Sequence, residues 1–325
     1  MRRREFIALC GGAVAGYQLS VQPIQAQAPK GKIGYVHPVT ISPDHVTFAI
    51  LREEWRRLGY VGGETFLARS GEENPERLPI IIRDLIERNV GVLVVVGADA
   101  VRIAAATTKA VPIVAIDMET DPVQSGLVAS FARPGGNVTG LFLDLPSLAA
   151  KWIELMQEAI PGLERIAFAW QPSTGRIQLD VALSAAKSLG IEAVVLETVT
   201  TDDFARSFLP LVGAKRTGII LLTFPGLATV SAKYAAAAQG HGLPTLSFLG
   251  AAARGGLLMS YGPKQEEYFP RAINIADRIL RGDNAGQLPI ERPTKFEFVL
   301  NLKTAKALGI AVPPTLLARA DEVIE

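Results

Sequence analysis

Cysteine is almost absent from this 325-residue sequence: the single residue, Cys10, lies in the N-terminal leader. The remainder of the chain has no disulfide, no thiol nucleophile and no cysteine-based metal site, so its stability must come from packing. Histidine is nearly as scarce, at His37, His45 and His241, without the HExxH spacing of a zinc site. Neither a metal nor a cofactor is expected. Charge of one sign is missing as well: 33 lysines and arginines against 32 aspartates and glutamates leave a net charge of +1. Such a chain lacks the basic footprint of a nucleic-acid binder. GxSxG, a P-loop and a GxGxxG after the first expected strand are all absent, which leaves hydrolytic and nucleotide-dependent chemistry without a motif.

What is present begins with a leader. Arg2, Arg3 and Arg4 precede an apolar, Gly- and Ala-rich segment over 6–19, and Ala26-Gln27-Ala28 offers small residues for cleavage. This is the pattern of an export signal cut near Ala26 or Ala28. Arg3-Arg4-Glu5-Phe6-Ile7 also fits a twin-arginine signal, with Ala8 where lysine is usual, so the general secretory and twin-arginine routes both stand. The apolar segment is shorter than the roughly 18 residues a bilayer requires. Leu9 is bulky where a lipidated cysteine follows a small residue, which argues against a lipid anchor at Cys10. The mature chain is expected in the periplasm.

About 300 residues remain after cleavage, which by size is one large or two medium domains. Short β-branched runs alternate with amphipathic segments, the signature of βα units on a parallel sheet. Strands are expected at 32–36, 65–68, 91–96 and 111–116, with helices at 45–58, 75–88 and 100–109 between them. A second run follows the Gly/Pro-rich stretch 133–140, with helices at 147–159, 178–189, 202–212 and 227–239. Its strands are expected at 165–169, 193–196, 218–223, 244–248 and 256–260. Two successive α/β units imply a cleft lined by the loops beyond the strand carboxyl ends.

The segment Asp121-Pro-Val-Gln-Ser-Gly-Leu-Val-Ala-Ser-Phe-Ala-Arg-Pro-Gly-Gly-Asn-Val-Thr-Gly140 resembles a hallmark of ABC-transporter substrate-binding proteins related to the tryptophan/tyrosine-binding TrpX type. Gly256-Leu-Leu-Met-Ser-Tyr-Gly262, the tail from Pro293, Gly59-Tyr-Val-Gly-Gly-Glu64 and Glu76-Arg-Leu-Pro79 are similar to the same family. The resemblance implies a type I periplasmic-binding-protein fold: two Rossmann-like lobes with parallel sheets that close on a small molecule. By that analogy residues 29–139 with 263–286 form lobe I, and 140–262 with 287–325 form lobe II. Gly136, Asn137, Ser260 and Tyr261 would then serve as hinge crossings, where glycine absorbs backbone rotation. The implied partner is an inner-membrane ABC permease, and a monomer suffices. Delivery to a membrane sensor, or an α/β hydrolase-type activity, are the alternatives.

Ligand-facing residues follow from the strand-end loops. Ala98 and Asp99 open a helix whose N–H groups suit a carboxylate, although relatives carry a hydroxyl residue with proline there. Asp99 is equally a candidate helix N-cap. Asp117, Met118 and Glu119 occupy one loop in which a carboxylate suits an ammonium or hydroxyl group, whereas Asp121 before Pro122 reads as a turn residue. Trp170 and Gln171 stand where relatives have Asn-Pro, and Phe224 where they have Asp-Pro. Trp170 and Phe224 thereby offer aromatic surface to a flat or apolar ligand, or else pack beneath their loops; Gln171, as a hydrogen-bonding group, and Ser173 and Phe248 complete the ligand-facing set. His37, just past the first strand, offers a ring N–H. The expected ligand is an aromatic or branched apolar carboxylate, amino acids included, bound without catalysis.

Overall fold

A computed structural model describes residues 31–40, 46–60, 63–72, 74–197, 207–211, 213, 216–224 and 226–325. The leader, His45 and most of the helix expected at 202–212 lie outside the described residues.

The first sheet comprises β1 (Ile33–His37), β2 (Phe66–Ser70), β3 (Val92–Val96), β4 (Ile113–Asp117) and β5 (Val138–Phe142), in the order β2-β1-β3-β4-β5 and entirely parallel. Three helices connect its first four strands: α1 (Val46–Arg57), α2 (Leu78–Glu87) and α3 (Ala98–Thr107). The uninterrupted apolar sequence of β3 is explained by cover on both faces. Val92, Val94 and Val96 enter one hydrophobic cluster, while Leu93 and Val95 enter another.

β5 is a departure from expectation, because 133–140 reads as a linker. Its central residue is Gly140, with φ +132°, and a Cβ there would stand 2.1 Å from the Ala115 carbonyl oxygen. Only glycine permits that approach, so the residue that disguises the strand is the one the strand needs.

The second sheet contains β6 (Arg165–Trp170), β7 (Glu192–Glu197), β8 (Thr217–Leu221), β9 (Thr245–Ser247), β10 (Met259–Pro263), β11 (Phe296–Asn301) and β12 (Glu322–Ile324). Their order is β12-β11-β10-β9-β8-β6-β7, parallel except where β10 meets β11. Its helices are α4 (Ala149–Ala159), α5 (Ile177–Ser188), α6 (Leu227–Gly240) and α7 (Gly250–Arg254). After β10 the chain returns to the first sheet as α8 (Gln265–Leu280), which packs on α1 and beneath β3, β4 and β5. Asp277 anchors it there: its buried carboxylate accepts from Tyr60 Oη at 2.9 Å and from Arg281 Nε at 2.8 Å. Two short helices, α9 (Leu302–Ala307) and α10 (Pro314–Leu317), follow β11.

The chain thus passes between sheets three times: over 143–148 after β5, at Lys264 after β10, and over 292–295 before β11. The expected division at 139/140 falls inside β5, so the first sheet extends to Phe142. The expected hinge residues are also displaced from the crossings. Gly136 and Asn137 precede β5, at the amino-terminal edge of the sheet. There Asn137 Nδ2 donates to the carbonyls of Thr108 and Val111 at 3.0 and 2.8 Å. Ser260 and Tyr261 are internal to β10, three to four residues before the crossing. Tyr261 is clamped there by Trp152 Nε1, which donates to its carbonyl at 2.7 Å, and by stacking on Phe296.

Candidate functional site

Parallel strands deliver all their carboxyl ends to one edge of a sheet, and the crossings join those edges. On the first sheet this gathers His37, the 97–99 turn into α3, the 117–120 loop and the start of the first crossing. The crossing is tied to the loop directly: Leu143 N donates to Asp117 O at 2.8 Å and Leu145 N to Met118 O at 2.9 Å.

Three carboxylates converge here. Asp117 is buried, and its Oδ1 accepts the backbone N–H groups of Glu119 and Thr120, both at 2.9 Å. Burial nevertheless raises its pKa, with the charge of Asp99 adding to the shift against those two N–H groups. Glu119, part-buried, is pushed up to about 8, by burial first and then by Asp117 and Asp99. Near neutral pH its carboxyl is therefore largely protonated. Asp99 itself is exposed and pairs with Arg102 at 3.2 Å. It is not the helix cap: Gly97, at φ 90°, holds the N-cap position of α3, and Asp99 lies in the first turn. Asp121 does make a turn, accepting from Val123 N and Gln124 N.

His37 closes its own turn, its Nδ1 lying 3.2 Å from Val39 O and 3.3 Å from Val39 N, with its ring stacked on Tyr35.

On the second sheet the same edge carries Trp170, Gln171, Thr223, Phe224 and Phe248. Trp170 Nε1 donates to Gly175 O at 2.6 Å, and the Arg176 guanidinium lies 5.7 Å above its ring. The indole is thus oriented by its own loop, with one face covered by a cation. Gln171 is part-buried and its carbonyl accepts from Thr174. Of Ser173 only the backbone, in a short 3-10 turn, is described. Phe224 and Phe248 are each 4% exposed and belong to the main hydrophobic core. The broad aromatic wall expected from Trp170, Phe224 and Phe248 is therefore reduced to Trp170 at the surface.

Buried polar side chains fill part of this edge. Gln178, on the first turn of α5, is buried and accepts Thr223 N–H at 2.7 Å through Oε1, bridging two strand-end loops. An amphipathic reading puts glutamine outward and isoleucine inward, yet here Ile177 is 49% exposed. The inversion is invisible until the helix phase is known. Ser247 and Ser260, facing neighbours in β9 and β10, are also fully buried. Among the described residues, no group of three His, Cys, Asp or Glu side chains is arranged to hold a metal ion. No helix among them is long and apolar enough to cross a membrane.

Residues 51–324 match the family model described as ABC transporter substrate binding protein. The chain belongs to that family. Within it, a curated relative from Clostridioides difficile (strain R20291), the "Tyrosine-binding protein", is 28% identical over 211 residues. That match covers 62% of this chain and 58% of the relative, so it spans little more than half of the relative's length. Among solved structures, a conserved domain protein from Vibrio cholerae o1 biovar eltor superposes with a TM-score of 0.80 at 24% identity, covering 90% of this chain and 99% of that one. The ABC domain from Streptococcus pneumonia in complex with L-Trp gives 0.78 at 21%, covering 90% and 100%. The fold of this family member is thus that of two-lobed periplasmic binding proteins of type I.

Proposed function

We propose that this protein is the solute receptor of an ABC importer, working outside the cytoplasmic membrane and passing a small molecule to an inner-membrane permease without changing it. Its two lobes are the two sheets with their helices, the first completed by α8. Ligand binding shifts an open–closed equilibrium because the closed form engages both strand-end edges at once.

The observation that carries the ligand assignment is the acidic cluster on the first edge. Three carboxylates with raised proton affinity at two of them disfavour a bare anion at the α3 N-terminus, despite its helix dipole. They favour an ammonium group, which relieves the repulsion among them. Trp170 on the opposite lobe suits an aromatic ring. An aromatic amino acid, amine toward lobe I, meets both demands, and the tyrosine-binding relative and the L-Trp-bound fold neighbour support that reading.

A thermal-shift panel tests it. L-tryptophan, L-tyrosine and L-phenylalanine should raise Tm, and their des-amino acids should not. Stabilisation by sugars alone, or conversion of a bound amino acid to product, would refute the assignment.

A further inference from the structure

Two buried polar groups on the second lobe have unused hydrogen-bonding capacity. Gln178 is 3% exposed and Thr223 9%. The single bond between them fixes the amide: because Oε1 accepts Thr223 N–H, the other end of Gln178 is the NH2, a donor only. That Nε2 is buried without a partner, and so is Thr223 Oγ1. Burying a donor without an acceptor is costly, and here two such groups stand together, one on the first turn of α5 and one in the loop after β8. Gln178 follows the β6 carboxyl end and Thr223 the β8 carboxyl end, on the edge that faces the crossings.

We infer that Gln178 and Thr223 form the subsite that takes the carboxylate of the ligand on lobe II. The NH2 of Gln178 and the hydroxyl of Thr223 supply two donors to its oxygens. This assignment rests on the amino-acid reading above and completes it: the ligand's positive end meets the acidic edge, its negative end meets an edge without acidic side chains at these two positions. It reverses the polarity suggested by the helix N-terminus at Ala98.

Two substitutions separate this role from a structural one. Gln178→Glu keeps the oxygen that accepts Thr223 N–H but replaces the free donor by a negative oxygen. Thr223→Val keeps shape and removes the hydroxyl. Calorimetric titration with L-tryptophan should show affinity reduced roughly tenfold or more in each variant. Tryptamine, the same molecule without the carboxylate, should bind both variants as it binds the unaltered protein. In the absence of ligand, Thr223→Val should raise Tm by about 1–3 °C, since an unpaired buried hydroxyl is gone. Undiminished L-tryptophan affinity, parallel loss of tryptamine, or a Thr223→Val protein no more stable than its parent would overturn the inference. If the unaltered protein takes neither compound, the amino-acid reading fails by itself; if it takes L-tryptophan and both variants bind it undiminished, the carboxylate subsite fails while that reading stands.

Discussion

Glu119 shows how a residue's surroundings, not its type, decide what it can do. An exposed glutamate is ionised at neutral pH, but here burial, Asp117 and Asp99 push its pKa up to about 8. The sign of the consequence is fixed by linkage. Between the ordinary glutamate value and 8 the folded protein holds a proton that the unfolded chain releases. The contribution of Glu119 to stability is therefore fully present below its unfolded pKa and is lost as pH rises toward and through 8; burial of Asp117 acts in the same direction. Urea unfolding of the ligand-free protein should show stability declining from pH 5 to pH 8, with a shallower decline in Glu119→Gln. A stability profile unchanged by that substitution would contradict the assignment. Trp170 makes the second residue-scale case. Its ring is held by Gly175 O and by Arg176, so Trp170→Ala should lower affinity for aromatic amino acids by about tenfold in calorimetric titration.

At the scale of elements, Gly140 and Asp277 hold the first lobe together. A Cβ at residue 140 meets the Ala115 backbone at 2.1 Å, and no rotamer relieves it. Gly140→Ala should therefore cost on the order of 3 kcal/mol or more in chemical denaturation. Asp277→Ala leaves Tyr60 Oη and Arg281 without their acceptor and should loosen α8 from α1 at a cost of about 1–3 kcal/mol, visible as faster hydrogen exchange confined to α8. The legibility of elements follows from the same physics. β3 and β8 announce themselves because burial on both faces demands continuous apolar sequence. α1 is legible through the spacing of Leu51 and Trp55, which the core buries. β5 is hidden by the glycine that its packing requires, and α8 carries Pro270 within the helix, where proline ordinarily marks a boundary. The hinge crossings are not legible, because a Gly-Gly-Asn run signals backbone freedom without saying at which edge of a sheet it lies. Phe224 and Phe248 lie in the core, and a strand-end aromatic has no periodicity to reveal that it turns back there. The buried Gln178 went unseen for a related reason: its inward face depends on a helix phase set by tertiary contacts.

The molecule as a whole is one parallel sheet and one sheet parallel but for the β10–β11 pair, joined by three crossings, with an acidic edge on the first and the Gln178–Thr223 pair on the second. Closure on ligand should compact it, so small-angle scattering should give a smaller radius of gyration with saturating L-tryptophan than without. The central claim is that an ammonium group arrives beside Glu119. Calorimetry at pH 7 in two buffers of different ionisation enthalpy tests this most directly, because a cation beside a carboxyl with a pKa of about 8 must expel its proton. Binding of L-tryptophan or L-tyrosine should release a proton in the unaltered protein and release less in Glu119→Gln; proton uptake on binding, or a release unaffected by that substitution, would contradict the account.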